Sequence, residues 1–391
     1  MRARNLAVVL ATIHRSGPHT RASLAERTGL TKTTVSSLVA DLLEAGAVTE
    51  SGAVRAGERG RPGVAVSLSG HRVAALGLEI NIDYLAACVV DLTRTVRLRR
   101  IIPADNRNSD PAAILESLRA LAKETTAEAA AAGLRVIGAA LAVPGLVEGG
   151  MLRSAPHLGW RDVRVSDLVD MPFEVDNEAN LAALGELWFG PRESDFLYVS
   201  GEIGIGAGLV VQGGVFKGTY GLAGELGHVV VVPDGPGCRC GGRGCLEVYA
   251  GQDALLGDLG SVRELVSRLE SGDQAALEAC RRAGHALGVA LTSAVHLLDP
   301  GTIVLGGIFA PLFPWLAAPV SGGLGTRLAQ MRGAPPTSWS RPPAPTPPCS
   351  ARPGWSSSRS SPSPPSCSAS SARPETVNGL VRAGEIFLLD A

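Results

Sequence analysis

Over the first seventy residues the apolar positions follow a helical period. Leu6, Val9, Leu10 and Ile13 recur at helical spacing, which predicts a helix with one buried face. The stretch SLAERTGLTKTTVSSLVADLLEAGAV then reads as helix, tight turn, helix. Ser23 is the expected cap of the first of these helices, with Glu26 completing a capping box. Gly29 ends it, because glycine tolerates the left-handed conformation of a sharp turn. Thr31 caps the next helix. There Val35, Leu38, Val39, Leu42 and Leu43 form one apolar stripe. Two short apolar runs follow, flanking a glycine-rich loop with Arg55, Arg59 and Arg61. That is the pattern of a β-hairpin wing.

From Ala74 the texture changes. VAALGLEINIDYLAACVVDL predicts strand, turn, strand, and LRVIGAALAVPGLVEGGML a strand ending in a Pro-Gly turn. FLYVSGEIGIGAGLVVQGGVFKG is strand, glycine turn, strand, and GTIVLGGIF a later strand. Alanine-rich helical segments at 111–132 and 274–298 separate them. Strands that alternate with helices and empty into glycine turns predict an α/β fold with sites at strand ends. After about Thr337 the chain is rich in Pro, Ser and Arg and has no apolar period. The domain reading is 1–70, 74–333 and a low-complexity tail at 334–391. The tail is expected to be disordered or to reflect a frameshift in a GC-rich gene, since out-of-frame GC-rich codons give Pro, Ser and Arg.

A net charge of −1 and 45% hydrophobic residues describe an ordinary globular chain. No run approaches the ~20 apolar residues of a membrane span. The basic and then apolar N-terminus is interrupted by His14 and Arg15, which argues against a signal peptide. The expected location is cytoplasmic, where thiols stay reduced and clustered cysteines favour metal over disulfide.

Four clusters carry candidate chemistry. Thr31, Lys32, Thr33, Thr34, Ser36 and Ser37 lie at the start of the second helix, and short hydroxyls with a lysine suit a helix entering a major groove. Arg59 and Arg61 at the wing tip can bind phosphate or enter a minor groove. FEVDNEANLAALGELWFG puts Asp176, Asn177, Glu178 and Asn180 after a short strand at Phe173–Val175. An Asn beside a carboxylate can grip neighbouring sugar hydroxyls. Finally, His228, Cys238, Cys240 and Cys245 form a Cys₃His set, the donor set of a closed, structural zinc site. Cys88 and Cys280 read as ordinary buried cysteines.

The stretch GLAGELGHVVVVPDGPGCRCGGRGCLEVYA resembles the signature of the ROK family, named for repressors, open reading frames and kinases. The likeness runs from about Arg4 to Met331. It implies the two-lobed α/β fold of the actin, Hsp70 and hexokinase group, behind a winged helix-turn-helix. It also implies that Asn177, Glu178, Glu225, His228 and Glu247 grip sugar hydroxyls, with Gly145 in the matching Pro-Gly turn. His228 would then serve both zinc and sugar. The family's kinases carry Asp-Ile-Gly-Gly-Thr at the first phosphate loop. Here the matching residues are Glu79, Ile80, Asn81, Ile82 and Asp83, which lack both glycines and add a carboxylate. Glu178 stands where the kinases have their catalytic aspartate. A base moved by ~1 Å can lose about 100-fold in rate.

The reading that follows is a non-enzymatic, sugar-responsive regulator, a repressor acting on a palindromic operator as a homodimer or dimer of dimers. The effector is a sugar or sugar phosphate. The alternative is an ATP-dependent sugar kinase that kept a DNA-binding domain, which intact phosphate-loop glycines would have favoured. The closed Cys₃His set argues against a zinc enzyme.

Overall fold

The computed structural model describes residues 1–54, 63–165, 168–189, 194–332 and 337–340. Helix α1 (Arg2–Ser16) precedes a two-residue strand β1 (His19–Thr20), helices α2 (Arg21–Thr28) and α3 (Lys32–Glu44), and hairpin strands β2 (Val48–Val54) and β3 (Gly63–Leu68). The stripe forms as expected: Val9, Ile13, Leu24, Val35, Leu38, Val39 and Leu42 share one core. Gly29 closes α2 at φ 70°, and the Thr31 side chain accepts from the Thr34 N–H. The expected cap at Ser23 is wrong. Helix α2 begins three residues earlier, and Thr20 caps it by accepting from the Ser23 N–H at 3.2 Å. Pairing of His19 and Thr20 with Val66 and Ala65 holds Thr20 extended, the conformation a cap requires. The wing strands pair antiparallel. The wing-tip residues Arg55, Arg59 and Arg61 lie outside the described residues.

The first lobe carries β4 (Val73–Ile80), β5 (Tyr84–Asp91), β6 (Val96–Pro103), α4 (Pro111–Ala131), β7 (Arg135–Val143), β8 (Leu146–Glu148), β9 (Met151–Ala155), β10 (Trp160–Arg164) and β11 (Phe173–Asn177). Its main sheet runs β11-β7-β4-β5-β6, while β8, β9 and β10 make a small sheet beside it. Strands β11, β7 and β4 are parallel, whereas β5 and β6 return antiparallel. Every residue of β4 is buried, as a central strand covered on both faces must be.

Helix α5 (Glu178–Phe189) leads into the second lobe. There follow β12 (Phe196–Gly201), β13 (Ile205–Val211), β14 (Gly214–Phe216), a 3-10 turn (Leu226–His228), α6 (Glu247–Ala250), α7 (Gln252–Leu256), α8 (Val262–Glu270), α9 (Gln274–Leu298), β15 (Thr302–Gly307), α10 (Phe309–Arg332) and β16 (Thr337–Ser340). The sheet order is β14-β13-β12-β15-β16. Strands β12, β15 and β16 are parallel, and β13 and β14 antiparallel. The two lobes therefore repeat one plan, an antiparallel hairpin pair flanking three parallel strands. The segment read as a tail from 334 contributes Thr337–Ser340 to the sheet as β16. Residues 341–391 lie outside the described residues.

Helix α5 is pressed tightly on β13. A Cβ on Gly208 would come within 2.4 Å of the Ala183 Cβ and 2.7 Å of the Ala179 carbonyl, and one on Gly206 within 2.8 Å of the Ala179 Cβ. Gly208→Val is expected to destabilise the protein by about 1–3 kcal/mol, the usual cost of overpacking. A urea midpoint no lower than that of the wild type would contradict this packing.

Candidate functional site

Parallel pairing of β11 with β7 sets Asn177 opposite Val143, so both strands end at the same crevice, where α/β sheets place their sites. The chain leaves β7 through Pro144 and Gly145. Gly145 has φ 155°, and a Cβ there would lie 2.3 Å from the Ser154 carbonyl, so only glycine fits. The Asn177 amide donates to the Gly145 carbonyl at 2.9 Å and accepts from the Ala179 N–H at 2.8 Å. Strand β11 runs two residues beyond the expected Val175, and the four polar residues at its end divide their work. Asp176 is buried, accepts from the Asn180 amide at 3.0 Å and pairs with Lys217 at 2.7 Å. Asp176 and Asn180 brace the joint, while Asn177 and Glu178 line the cleft.

The second lobe supplies the opposite wall. Glu225 precedes the 3-10 turn that carries His228, whose Nε2 lies 3.7 Å from the Glu225 carboxylate. Glu247 opens α6, and its Oε2 accepts from the Ile205 N–H at 3.2 Å. Its other oxygen lies 3.5 Å from His157 Nε2. All six residues expected to grip a ligand (Gly145, Asn177, Glu178, Glu225, His228 and Glu247) line one cavity of about 510 Å³, within the range of small-molecule sites.

Sequence reasoning missed His157 and Arg239. Both line the cavity, and the Arg239 guanidinium donates to His157 Nδ1 at 3.5 Å. His157 sits in the turn between β9 and β10, with no spacing motif to single it out. The available signal was its place in a loop after a strand.

The carboxyl groups differ in protonation. Glu79, 2% exposed, is pushed up to about 7 by burial, against the hydrogen bond it accepts from the Tyr84 hydroxyl at 2.8 Å. Glu178 is pushed up to about 8, first by desolvation and then by the charge of Glu79. Burial also raises Glu225. Burial would raise Glu247 too, but the hydrogen bond and charge of His157, with help from His228, hold it below the usual range. At neutral pH the cleft thus offers a protonated carboxyl at Glu178 and a carboxylate at Glu247. One donates and the other accepts, which suits hydroxyl groups that do both. The loop after β4 is closed. Asn81 donates its N–H to the Tyr84 carbonyl at 2.9 Å, Asn106 donates to the Asn81 carbonyl at 2.5 Å, and Asp83 pairs with Arg107 at 2.9 Å.

His228, Cys238, Cys240 and Cys245 offer ligand atoms that all lie within 4.8 Å of one another, so they can hold a metal ion. Cys240 and Cys245 sulfurs are 3.7 Å apart, and Cys238 sulfur is 3.8 Å from His228 Nδ1. Tetrahedral metal–sulfur bonds of ~2.3 Å span about 3.8 Å between sulfurs, so the donor set fits. His228 Nδ1 faces the sulfurs while Nε2 faces Glu225. Cys88 and Cys280 are buried away from this set, and burial pushes their thiols up to about 12 and about 11, which keeps them inert.

On the winged helix, Thr31, Lys32, Thr33, Ser36 and Ser37 are exposed, and Thr34 half-buried, at the start of α3. Thr33, Ser36 and Ser37 lie on the face opposite the apolar stripe, flanked by Lys32 and Thr34. Ser37 accepts from Arg2 at 3.3 Å, and Arg2 also pairs with Asp41.

Comparison with known proteins bears on both the winged helix and the two-lobed part of the chain. The model described as ROK family matches residues 75–327, and that described as MarR family matches residues 7–59. A xylose repressor of Bacillus subtilis (strain 168) is 29% identical over 314 residues, covering 77% of this chain and 81% of its own length. The crystal structure of a ROK family transcriptional regulator, a homologue of the E. coli MLC protein, superposes with TM-score 0.70 at 25% identity. That match covers 84% of this chain and 90% of the other. A ROK family glucokinase from Streptomyces griseus, solved with glucose and AMPPNP, superposes with TM-score 0.57 at 25% identity, covering 68% of this chain and 93% of that one. Among the described residues no helix is long and apolar enough to cross a membrane.

The raised carboxyl groups have a stability consequence with a definite sign. Glu178 near 8 and Glu79 near 7, against an ordinary 4.5, bind protons in the folded state that the unfolded chain releases. Their contribution is therefore full below about pH 4.5 and is lost as pH rises through 7 and 8. Glu178→Gln is expected to lose less stability between pH 5 and pH 8.5 than the wild type. Denaturant titrations at the two pH values read this directly. An equal or larger loss in the variant would refute the assignment.

Proposed function

The chain belongs to the ROK family, and from that premise we propose that it is a DNA-binding repressor whose operator affinity is set by a sugar held between its lobes. One observation carries the reading. A winged helix with a hydroxyl-rich α3 and a cleft lined by polar side chains that suit hydroxyl groups lie on one chain. The match of residues 7–59 to the MarR family supports the DNA-binding half. The name of the Bacillus relative puts xylose first among sugars to try.

In this reading Asn177, Glu178, Glu225, His228 and Glu247 bind hydroxyls from both lobes, so an occupied cleft favours one lobe angle. The ligand shifts the protein only as far as it binds that angle better. Lys32 and the α3 hydroxyls meet DNA, and a homodimer sets two such helices on the halves of a palindrome. Catalysis is not part of the proposal. Around the loop after β4, where a family kinase holds phosphate, Glu79 of β4 and Tyr84 of β5 are bonded to each other and Asp83 faces Arg107. Glu178 holds a proton near neutral pH, which removes the base a hydroxyl would need.

Zinc is the metal that fits the Cys₃His set, and four protein donors make it structural. Bound there, it fixes the loop that carries His228 and leads to Glu247. One zinc per chain is expected by elemental analysis, with Cys240→Ser losing both the ion and most of the sugar affinity. Wild-type protein purified without chelators yet free of metal would remove zinc from the reading.

The direct test is a gel shift at fixed salt on the chain's own promoter region, since phosphate contacts make affinity salt-dependent. D-xylose, D-glucose and N-acetyl-D-glucosamine are added separately, and the same samples are assayed for phosphate transfer from ATP. The expected result is specific binding that one sugar changes at least fivefold, with no transfer. Sugar phosphorylation without specific DNA binding would favour a kinase instead.

A further inference from the structure

We propose that Trp188 transmits the state of the cleft to the DNA-binding domain, by reporting the position of α5 to the end of α1. The inference rests on the cleft being an effector site, and it adds the residue through which occupancy reaches the winged helix.

Helix α5 starts in the cleft. Asn177 and Glu178 line the cavity, and Glu178 is the helix's first residue. At 1.5 Å per residue, Trp188 sits about 15 Å further along the axis. One face of α5 is locked to the second lobe: Gly206 and Gly208 leave no gap between β13 and Ala179 or Ala183, and Ala183 packs with Phe196, Tyr198 and Val210. On another face Leu181 and Leu184 meet Ala142 of β7 in the first lobe. The helix therefore lies between the lobes and is clamped most closely to the second.

The winged helix stands on the first lobe. Val73, Leu92 and Ile137 complete its apolar core, and Arg94, in the turn after β5, lies 3.1 Å from His14 through its Nη2 and the ring Nε2. The far end of α5 reaches the same spot. The rings of Trp188 and His14 are 4.6 Å apart at 57°, and the Arg15 guanidinium sits 6.0 Å over the Trp188 ring. His14 is thus held between an arginine of one lobe and the tryptophan of a helix fastened to the other. A 5° swing of α5 about its first turn moves Trp188 by about 1.3 Å. Tightly packed contacts answer such shifts by changing arrangement rather than stretching.

The experiment uses the full chain and measures three quantities: sugar affinity by calorimetry, operator affinity without sugar, and the ratio of operator affinities with and without sugar. D-xylose, D-glucose and N-acetyl-D-glucosamine are the probes. Trp188→Ala is expected to keep the first two within about threefold and to reduce the sugar-induced ratio at least fivefold, within the usual range of coupling between sites. Trp188→Phe, which keeps a ring against His14, should restore most of the ratio. His14→Ala reads the same contact from α1 and serves if Trp188→Ala does not fold. A wild-type-sized ratio in Trp188→Ala, or in His14→Ala, overturns the proposal. So does loss of sugar or operator binding in both Trp188 variants, which would make the residue structural. A wild type that binds operator but answers no sugar fails the effector reading itself, and is told apart by that control.

Discussion

The side-chain amide of Asn177 is bonded at both ends, to the Gly145 carbonyl and to the Ala179 N–H. Through those two bonds it ties a turn of the first lobe to the opening turn of α5. Each end keeps capacity in reserve, since the amide carries a second hydrogen and a second lone pair. One residue can therefore hold the joint and face a ligand. Replacing it would leave partners unmatched inside the joint, at about 1–3 kcal/mol for each buried group. The Asp176, Asn180 and Lys217 network stands behind it and keeps the strand end in place.

The same two-lobed scaffold carries a ROK transcriptional regulator and a ROK glucokinase, and on the proposed reading the two uses part at the loop after β4. Glycines there would leave backbone N–H groups open to phosphate. Here Asn81 and Ile82 are buried, and Glu79 takes the hydroxyl of Tyr84. Removing water from Glu79 and Glu178 raises both, so Glu178, which lines the cleft, keeps a proton in mildly acidic solution where Glu247 keeps its charge. On that reading fold and function separate at this point, with the sheet plan shared and the chemistry left to a few side chains.

What could be read from the sequence was local. The Cys₃His spacing, the apolar stripe of α3, Gly29 and the Pro-Gly turn are each defined within a few residues, because metal geometry, helix period and positive φ act over short distances. Asn177 and Glu178 stood out in the polar run after β11, but that Glu225, His228 and Glu247 join them in one cleft was legible only through the family resemblance, which supplies the long-range pairing that spacing omits. The failures share one cause. Thr20 displaces Ser23 as a cap because β1 pairs with β3, more than forty residues on. Asp176 and Asn180 turn inward because Lys217 arrives from the other lobe. His157 finds Glu247, and His14 finds Trp188, only once the lobes are assembled. No local pattern announces a partner so distant.

Strand β16 takes the place in the second sheet that β11 takes in the first. Four residues at the start of a Pro- and Ser-rich segment thus cover the outer edge of β15, whose six residues are buried or nearly so. An apolar parallel strand with an open edge is a template for pairing with other chains. Thr337–Ser340 therefore guards the solubility of the molecule, and a deletion made just before it would turn an interior strand into an adhesive border. The composition of that Pro- and Ser-rich segment conceals such a duty, because covering an edge calls on the backbone ladder and leaves no apolar period to read.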